Sequence, residues 1–388
     1  MNTKSLQVLE RVVKGLPQWI EIFENLYTIL TSFICFQSEE EPIVITNWIV
    51  FTYLAPYFSY APYLHIYSAT ERCGKSKTIE VIECLVNNPL NTVNISDSSL
   101  FRSLNEEGGT TLILDEIDKL DKQARSEQIS ILNSGYSRRG AQVVRSEKNS
   151  EGKFVYKTYN PFGPKILSGI GQENLGNTLR DRSFPIELKR MLPHERTVRL
   201  IHDSQFQMLE DWKNKIIENV EELKNSEDIF NEYLIESVIN ILADLNSDDR
   251  AIDISHPLIA IACLGSDDWA IKSINAVNNL TGKKTEEVSW ETEILIICKE
   301  IASTDTNTGI HTKSLLEKIN FWPESRFQNF NNGNGINSNQ LSKVLKSFDI
   351  KSTQLRVNGE NKRGYNWDDF QDAFNRWLPQ VEVSEDEE

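Results

Sequence analysis

Two short segments constrain this chain more than anything else in it: Ala69-Thr70-Glu71-Arg72-Cys73-Gly74-Lys75-Ser76 and Leu112-Ile113-Leu114-Asp115-Glu116. The first lies between an apolar stretch, Pro62-Tyr63-Leu64-His65-Ile66-Tyr67, and a helix-like run, Thr78-Ile79-Glu80-Val81-Ile82-Glu83-Cys84-Leu85. That is the strand–loop–helix setting in which backbone N–H groups and a helix N-terminus face a phosphate. The second is an apolar strand ending in two acids. In this pairing Lys75 reaches the β- and γ-phosphates of a nucleotide and the Ser76 hydroxyl ligates Mg²⁺. Asp115 holds the Mg²⁺, normally through water, and Glu116 orients and deprotonates an attacking water. The expected nucleotide contacts are Ala69, Thr70, Glu71, Arg72, Cys73, Gly74, Lys75, Ser76 and Lys77, and the expected cofactors are ATP and Mg²⁺.

The loop departs from G-x-x-x-x-G-K-[ST] at its first position, where Ala69 replaces glycine. Taken alone, it also fits a glycine-capped turn before an amphipathic helix. The acidic pair tips the reading, because one Mg²⁺·ATP needs both motifs.

The length, 388 residues, allows two or three domains and a sizeable core. Five cysteines (35, 73, 84, 263, 298) show no C-x-x-C spacing and five histidines show no H-E-x-x-H. Neither a disulfide framework nor a zinc site is supported, and a cytoplasmic, reducing location is expected. Cys73 reads as a small residue that fits the turn. The N-terminal residues lack the basic-plus-apolar pattern of a secretory signal. Residues 42–64 carry no charge, but Thr46, Asn47, Thr52, Pro56 and Pro62 interrupt them. They read as a buried helix, Ile43 to about Tyr57, rather than a membrane span, so no membrane partner is expected.

The net charge of −16 is uneven: −3 over residues 1–59, +2 over 60–194, −8 over 195–250, −2 over 251–381 and −5 over 382–388. Only the segment with the two motifs is positive. So acidic a chain is not a general nucleic-acid coat, although a local basic face is compatible with it.

The hydrophobic pattern divides the chain into an N-terminal helical segment (1–59), an α/β core (60–192), a helical domain (193–287), a winged-helix-like domain (288–379) and a disordered acidic tail (380–388). In the core, strands alternate with helices, which argues a mainly parallel sheet covered on both faces. Expected elements include a strand Thr92–Ile95, a helix capped by Ser96 through Leu104, a helix near 122–136, and strands at Lys165–Ser168 and Ser183–Leu188. A β-hairpin interrupts them, Ala141–Arg145 and Lys153–Tyr159, with a polar tip. Between 135 and 165, seven basic residues face two acidic ones, interleaved with Tyr136, Phe154, Tyr156 and Tyr159. In the helical domain Trp212, Ile216, Ile217, Val220 and Leu223 form one core stripe. The last domain has three helical runs (293–301, 312–319, 338–348) and a short hairpin around Asn358-Gly359, an order like that of a winged helix-turn-helix.

Several stretches together resemble one family: P-loop proteins of bacteria, phages and plasmids whose C-terminal half is a domain of unknown function, often joined to primase and helicase modules of mobile elements. The matching residues run from Asn94-Ile95-Ser96 through Leu100-Phe101-Arg102, then Leu114-Asp115-Glu116, Leu132-Asn133-Ser134-Gly135-Tyr136 and Arg138-Arg139-Gly140-Ala141. They continue with Gly163-Pro164-Lys165-Ile166-Leu167-Ser168-Gly169-Ile170-Gly171 and Thr178-Leu179-Arg180-Asp181-Arg182-Ser183. Further on come Asp249-Arg250-Ala251, Pro257 to Ala262, Asp268-Trp269, Gly364-Tyr365 and Phe370 to Phe374. Members commonly lack the first loop glycine. The resemblance implies a P-loop ATPase core related to AAA+ proteins and superfamily 3 helicases.

On that resemblance Ser168 stands where a polar sensor positions the attacking water; a serine opening a Gly-rich turn is the plainer alternative. Arg180 and Arg182 stand where an oligomer supplies an arginine to a neighbour's γ-phosphate, against a structural Arg–Asp cluster. Arg138, Arg139, Arg145, Lys153, Tyr156 and Lys157 are the nucleic-acid candidates, since basic and aromatic residues together suit a single strand. Three functions stay open: an oligomeric, ring-like, helicase- or replication-like ATPase on single- or double-stranded DNA; a nucleotide-state switch or scaffold with a protein partner, as in phage defence; and a module with an inactive loop.

Overall fold

The computed structural model describes residues 3–92, 109–119, 129, 131–148, 152–172, 175–192, 194–195, 197–225, 230–245, 248–282, 290–323, 326–357 and 359–378. The chain divides into two compact units, Met1–Lys284 and Thr285–Glu388.

Three helices open the first unit: α1 (Thr3–Val12), α2 (Pro17–Phe33) and α3 (Glu40–Leu54). α3 is apolar all round, and such a helix must be covered on every side. Every residue from Glu41 to Leu54 is buried. Its polar groups are answered, because an unmet one costs about 1–3 kcal/mol. Asn47 donates to Ser273 Oγ at 2.8 Å and accepts from Trp269 Nε1 at 2.9 Å. Trp48 Nε1 donates to the Pro62 carbonyl and the Tyr53 hydroxyl to the Leu85 carbonyl. The expected helix to Tyr57 closes in a 3₁₀ turn, Ala55–Tyr57. Among the described residues no helix is long and apolar enough to cross a membrane.

Five strands form a parallel sheet: β1 (Tyr63–Ser68), β2 (Pro89–Thr92), β3 (Thr111–Leu114), β6 (Lys165–Ile170) and β7 (Ser183–Glu187). Their order is β2-β3-β6-β1-β7. Strands β1, β3 and β6 are buried almost throughout, as befits parallel strands covered on both faces. Tyr63 pairs with Lys165 and Ser183, and Ser68 pairs with Ile170. The loops after Ser68, Leu114 and Ile170 therefore meet at the C-terminal edge, where open α/β sheets take ligands. Helix α4 (Lys75–Glu83) follows β1. β4 (Val143–Lys148) and β5 (Phe154–Tyr159) form a separate antiparallel ribbon.

The second strand runs earlier than the sequence pattern predicts. Val93–Ile95 and the helix capped by Ser96 lie outside the described residues, as does most of the helix expected near 122–136. Of that helix, Ile131 and Leu132 are buried.

Helices α5 (Asn177–Arg180), α6 (Asp203–Lys224), α7 (Glu232–Ala243), α8 (Asp249–Ala262) and α9 (Asp267–Gly282) complete the unit. On α6 the inner stripe is Leu209, Ile216, Val220 and Leu223, whereas Ile217 faces solvent, one helical step of about 100° round from Ile216. Sheet and helices share a single hydrophobic cluster.

In the second unit α10 (Trp290–Thr304), β8 (Gly309–His311), α11 (Thr312–Asn320), α12 (Phe330–Gly333), α13 (Ser338–Ser347), β9 (Thr353–Val357), β10 (Glu360–Asn366) and α14 (Gln371–Trp377) surround their own core. The three strands are antiparallel in the order β8-β10-β9. The side chains of Asn337 and Gln340 cap α13 reciprocally. Asn358 and the acidic tail from Val381 to Glu388 lie outside the described residues.

Candidate functional site

The loop between Ser68 and Lys75 ends on Gly74, the N-cap of α4, at φ 89°. Side chains disfavour that left-handed conformation, which explains glycine there. Lys75 Nζ reaches back across the loop to Ser68 Oγ at 2.6 Å, and Ser68 Oγ donates to the Thr70 carbonyl at 2.6 Å. Cys73 Sγ lies 3.5 Å from Thr70 Oγ. From β3, Asp115 Oδ1 accepts the Glu116 N–H at 2.9 Å, and Glu116 sits at φ 59°.

A cavity of about 310 Å³ is bounded by Glu71, Arg72, Cys73, Gly74, Lys75, Ser76 and Lys77 on one side and by Asp115, Glu116, Asp118, Gly169 and Ile170 on the other. The two sequence motifs thus share one cavity, although β6 separates their strands in the sheet. Ala69 and Thr70 lie in the loop but do not line it. Lys77 lines the cavity while its ammonium donates to the Val198 carbonyl at 2.5 Å. A larger groove of about 1070 Å³ continues along α4 from Ser76, Lys77 and Asp115 to Arg199 and Ile201.

Asp118 was not among the predicted site residues. Its Oδ1 accepts the Ile170 N–H at 3.0 Å and ties the end of β6 to the acidic strand. The available signal was a third acid two positions after the pair.

Ser168 does not end its strand. β6 continues to Ile170, and Ser168 is buried in its interior opposite Ile66, its hydroxyl without a hydrogen-bond partner among the described residues. Gly169 and Ile170 are the β6 residues that reach the cavity.

Arg180 and Arg182 precede β7 and lie at the opposite edge of the sheet. Five residues of β1 at about 3.3 Å each put them roughly 16 Å from the loop. Arg180 bonds the Asn177 side chain. Arg182 bonds the Asn133 side chain and the Thr178 carbonyl, and its guanidinium lies 5.3 Å from the Tyr136 ring centre. Burial lowers its pKa from the usual arginine range.

Lys165 anchors the same edge. Its fully buried ammonium donates to the carbonyls of Pro161 (2.8 Å), Gly163 (2.9 Å) and Gly135 (3.4 Å), and it lies 4.8 Å from the Tyr63 ring centre. Burial pushes its pKa down to about 7. A Cβ on Gly135 would come within 2.4 Å of the Pro161 carbonyl oxygen and 2.7 Å of Lys165 Nζ, so glycine is required there.

The nucleic-acid candidates do not act as one patch. Arg138 sits in a 3₁₀ turn, Arg138–Gly140. It donates to the Ala55 carbonyl at 2.9 Å and stacks on Phe162, and burial lowers its pKa. Arg139 is exposed. On the ribbon, Phe154 and Tyr156 are 72% and 85% exposed. They share a face with Val144, whereas Lys157 stands opposite Arg145 on the other face. Lys153 is exposed at the start of β5. The tip residues 149–151 lie outside the described residues.

Among the described residues no cluster of three or more His, Cys, Asp or Glu is arranged around a metal site. Ser76 and Asp115 both line the cavity and would offer only oxygen donors, which suits Mg²⁺ completed by phosphates and water.

Residues 189–377 match a family model described as "Protein of unknown function (DUF3631)", just under half of the chain. A curated relative, the "Uncharacterized 28.9 kDa protein in xis 5'region" of Saccharopolyspora erythraea, is 33% identical over 139 residues, which is 35% of this chain and 52% of that protein. The chain therefore spans about half the length of that relative. Among solved structures, the apo NrS-1 C-terminal region (305–718) aligns over 91% of this chain and 79% of its own at 11% identity, with a TM-score of 0.45. The JCV helicase aligns over 62% of this chain and 73% of its own at 12% identity, with a TM-score of 0.30.

Proposed function

We propose that the protein is a Mg²⁺-dependent, oligomeric P-loop ATPase, helicase- or replication-like, that works on nucleic acid. The observation that carries this reading is the shared cavity of Lys75, Ser76, Asp115 and Glu116 at the C-terminal edge of a parallel sheet. The N-terminus of α4 and Lys75 bind the phosphates, with Lys75 exchanging its Ser68 contact for phosphate oxygen. Ser76 and Asp115 would hold Mg²⁺, which would offset phosphate charge. Glu116 takes the proton of the attacking water. Asp118, bonded to Ile170, keeps β6 against the site.

The positions of Arg180 and Arg182 motivate the oligomer. At roughly 16 Å from their own loop they serve a neighbouring subunit's γ-phosphate, and such arginines are worth about 10³–10⁵ in rate. The exposed Phe154 and Tyr156 supply stacking surface for a single strand, with Lys153 at the start of β5 for a phosphate. The second unit reads as a winged-helix-like domain.

One assay tests the reading: steady-state phosphate release by Lys75→Ala and by Arg180→Ala/Arg182→Ala, alone and mixed. Each is expected to lose at least about 10³-fold in turnover alone, and the mixture to regain activity because each subunit supplies what the other lacks. Full activity of the arginine variant, or no gain on mixing, removes the oligomeric site. No hydrolysis by the wild type, with and without DNA, removes the ATPase.

A further inference from the structure

A second cavity lies in the first unit, walled by α2, the start of α3 and the beginning of α9. It measures about 340 Å³ and shares no lining residue with the cavity around Lys75. The Asp268-Trp269 pair, which has no part in the nucleotide site, belongs to its wall.

One side of the cavity is aromatic. On α2, Phe23 and Tyr27 stand at i and i+4 and so share a face. Phe23 stacks on the Trp269 ring, with centres 5.5 Å apart and 7° between the planes, and Tyr27 meets that ring edge-on at 6.1 Å. Hydrogen bonds hold this wall in place. Trp269 Nε1 donates to Asn47 Oδ1 at 2.9 Å, and the Trp269 backbone N–H donates to Ser266 Oγ at 3.2 Å. Gly265 leaves room for the Phe23 ring, since a Cβ there would come within 2.9 Å of it. With its N–H engaged inside the fold, the indole offers the cavity carbon surface and no donor.

The rim is anionic. Glu24, Glu39 and Asp268 line the cavity, and Lys272 is the single basic residue among its lining. Lys272 pairs with Asp268 at 2.7 Å, which leaves Glu24 and Glu39 without an ion-pair partner among the described residues. Both are exposed. Concave, mostly apolar sites of this volume with a few polar groups suit small molecules. The walls select the charge. Aromatic faces attract a cation through the ring quadrupole, and the two carboxylates add to that attraction while repelling an anion.

We propose that this cavity binds a small organic cation, a protonated amine on an apolar or aromatic body. The body packs against Trp269 and Tyr27, and the ammonium turns to Glu24 and Glu39. None of these residues takes part in the nucleotide site, so binding requires neither ATP nor its hydrolysis.

The test uses the full chain without nucleotide and isothermal titration calorimetry. Phenethylamine, protonated at neutral pH, is the ligand, with phenethyl alcohol and hydrocinnamate as its neutral and anionic counterparts. The amine is expected to bind one site roughly tenfold more tightly than the alcohol, and hydrocinnamate more weakly than either. Glu24→Gln/Glu39→Gln is expected to bring the amine down to the affinity of the alcohol and leave the alcohol unchanged. Tyr27→Leu, which keeps apolar bulk and removes the ring, is expected to weaken the amine more than the alcohol. The control Glu218→Gln/Glu221→Gln, which removes two exposed acids of α6 outside the cavity, is expected to bind the amine like the wild type. No amine binding by the wild type, equal affinity for amine and alcohol, an amine preference that survives Glu24→Gln/Glu39→Gln, or an equal loss in the control overturns the proposal. Tighter binding of an end-capped Gly-Arg-Gly peptide than of the amine overturns the small-molecule assignment in favour of a partner's basic side chain.

Discussion

Glu116, the proposed base, holds a left-handed backbone conformation, φ 59°. A non-glycine residue there stores about 1–2 kcal/mol of strain. The Asp115 carboxylate, which accepts the Glu116 N–H, helps hold it. Glu116→Gly therefore relieves strain while removing the base. It is expected to melt at or above the wild-type temperature and to lose hydrolysis, whereas Glu116→Gln keeps the strain, loses hydrolysis and retains bound ATP. A Glu116→Gly protein that melts well below the wild type, or still hydrolyses ATP, contradicts this account of the residue. The Asp115-Glu116 pair was legible in the sequence because two acids closing an uncharged strand are unusual. The backbone angle was not, since it depends on how the chain leaves the sheet.

At the scale of elements, Lys165 fastens the start of β6 to the segments flanking the ribbon through the carbonyls of Gly135, Pro161 and Gly163. Lys165→Met leaves the Pro161 and Gly163 carbonyls without their ammonium donor, while the Gly135 carbonyl keeps the Gly163 N–H, and is expected to cost about 2–3 kcal/mol in chemical denaturation. Gly135→Ala drives a Cβ into the same node and is expected to destabilise as well. A loss below about 1 kcal/mol for Lys165→Met would show that the carbonyls find other donors. Strand, loop and helix around Gly74 were readable because local periodicity and a glycine mark them. Sheet order was not, because parallel neighbours are chosen by packing between distant segments. The ribbon's two faces follow from strand alternation, which sends the consecutive Tyr156 and Lys157 to opposite sides; which β4 residues join each face depends on the pairing register, which the sequence does not give.

Across the whole molecule, the segments 1–59, 60–192 and 193–287 differ in pattern yet contribute to one hydrophobic cluster. Sequence pattern separates them because it records periodicity and not which faces meet; the all-round apolar α3 is covered by helices from both ends of the unit. The change near residue 288 is different, since the residues beyond it build a core of their own. The proposed function requires that the cavity between Lys75 and Glu116 bind Mg²⁺·ATP. Isothermal titration calorimetry of the wild-type chain and Lys75→Ala with a non-hydrolysable ATP analogue and Mg²⁺ measures this binding. One saturable site per chain in the wild type, abolished or severely weakened in Lys75→Ala, is the predicted result; no binding to the wild type, or equal binding to both, contradicts it.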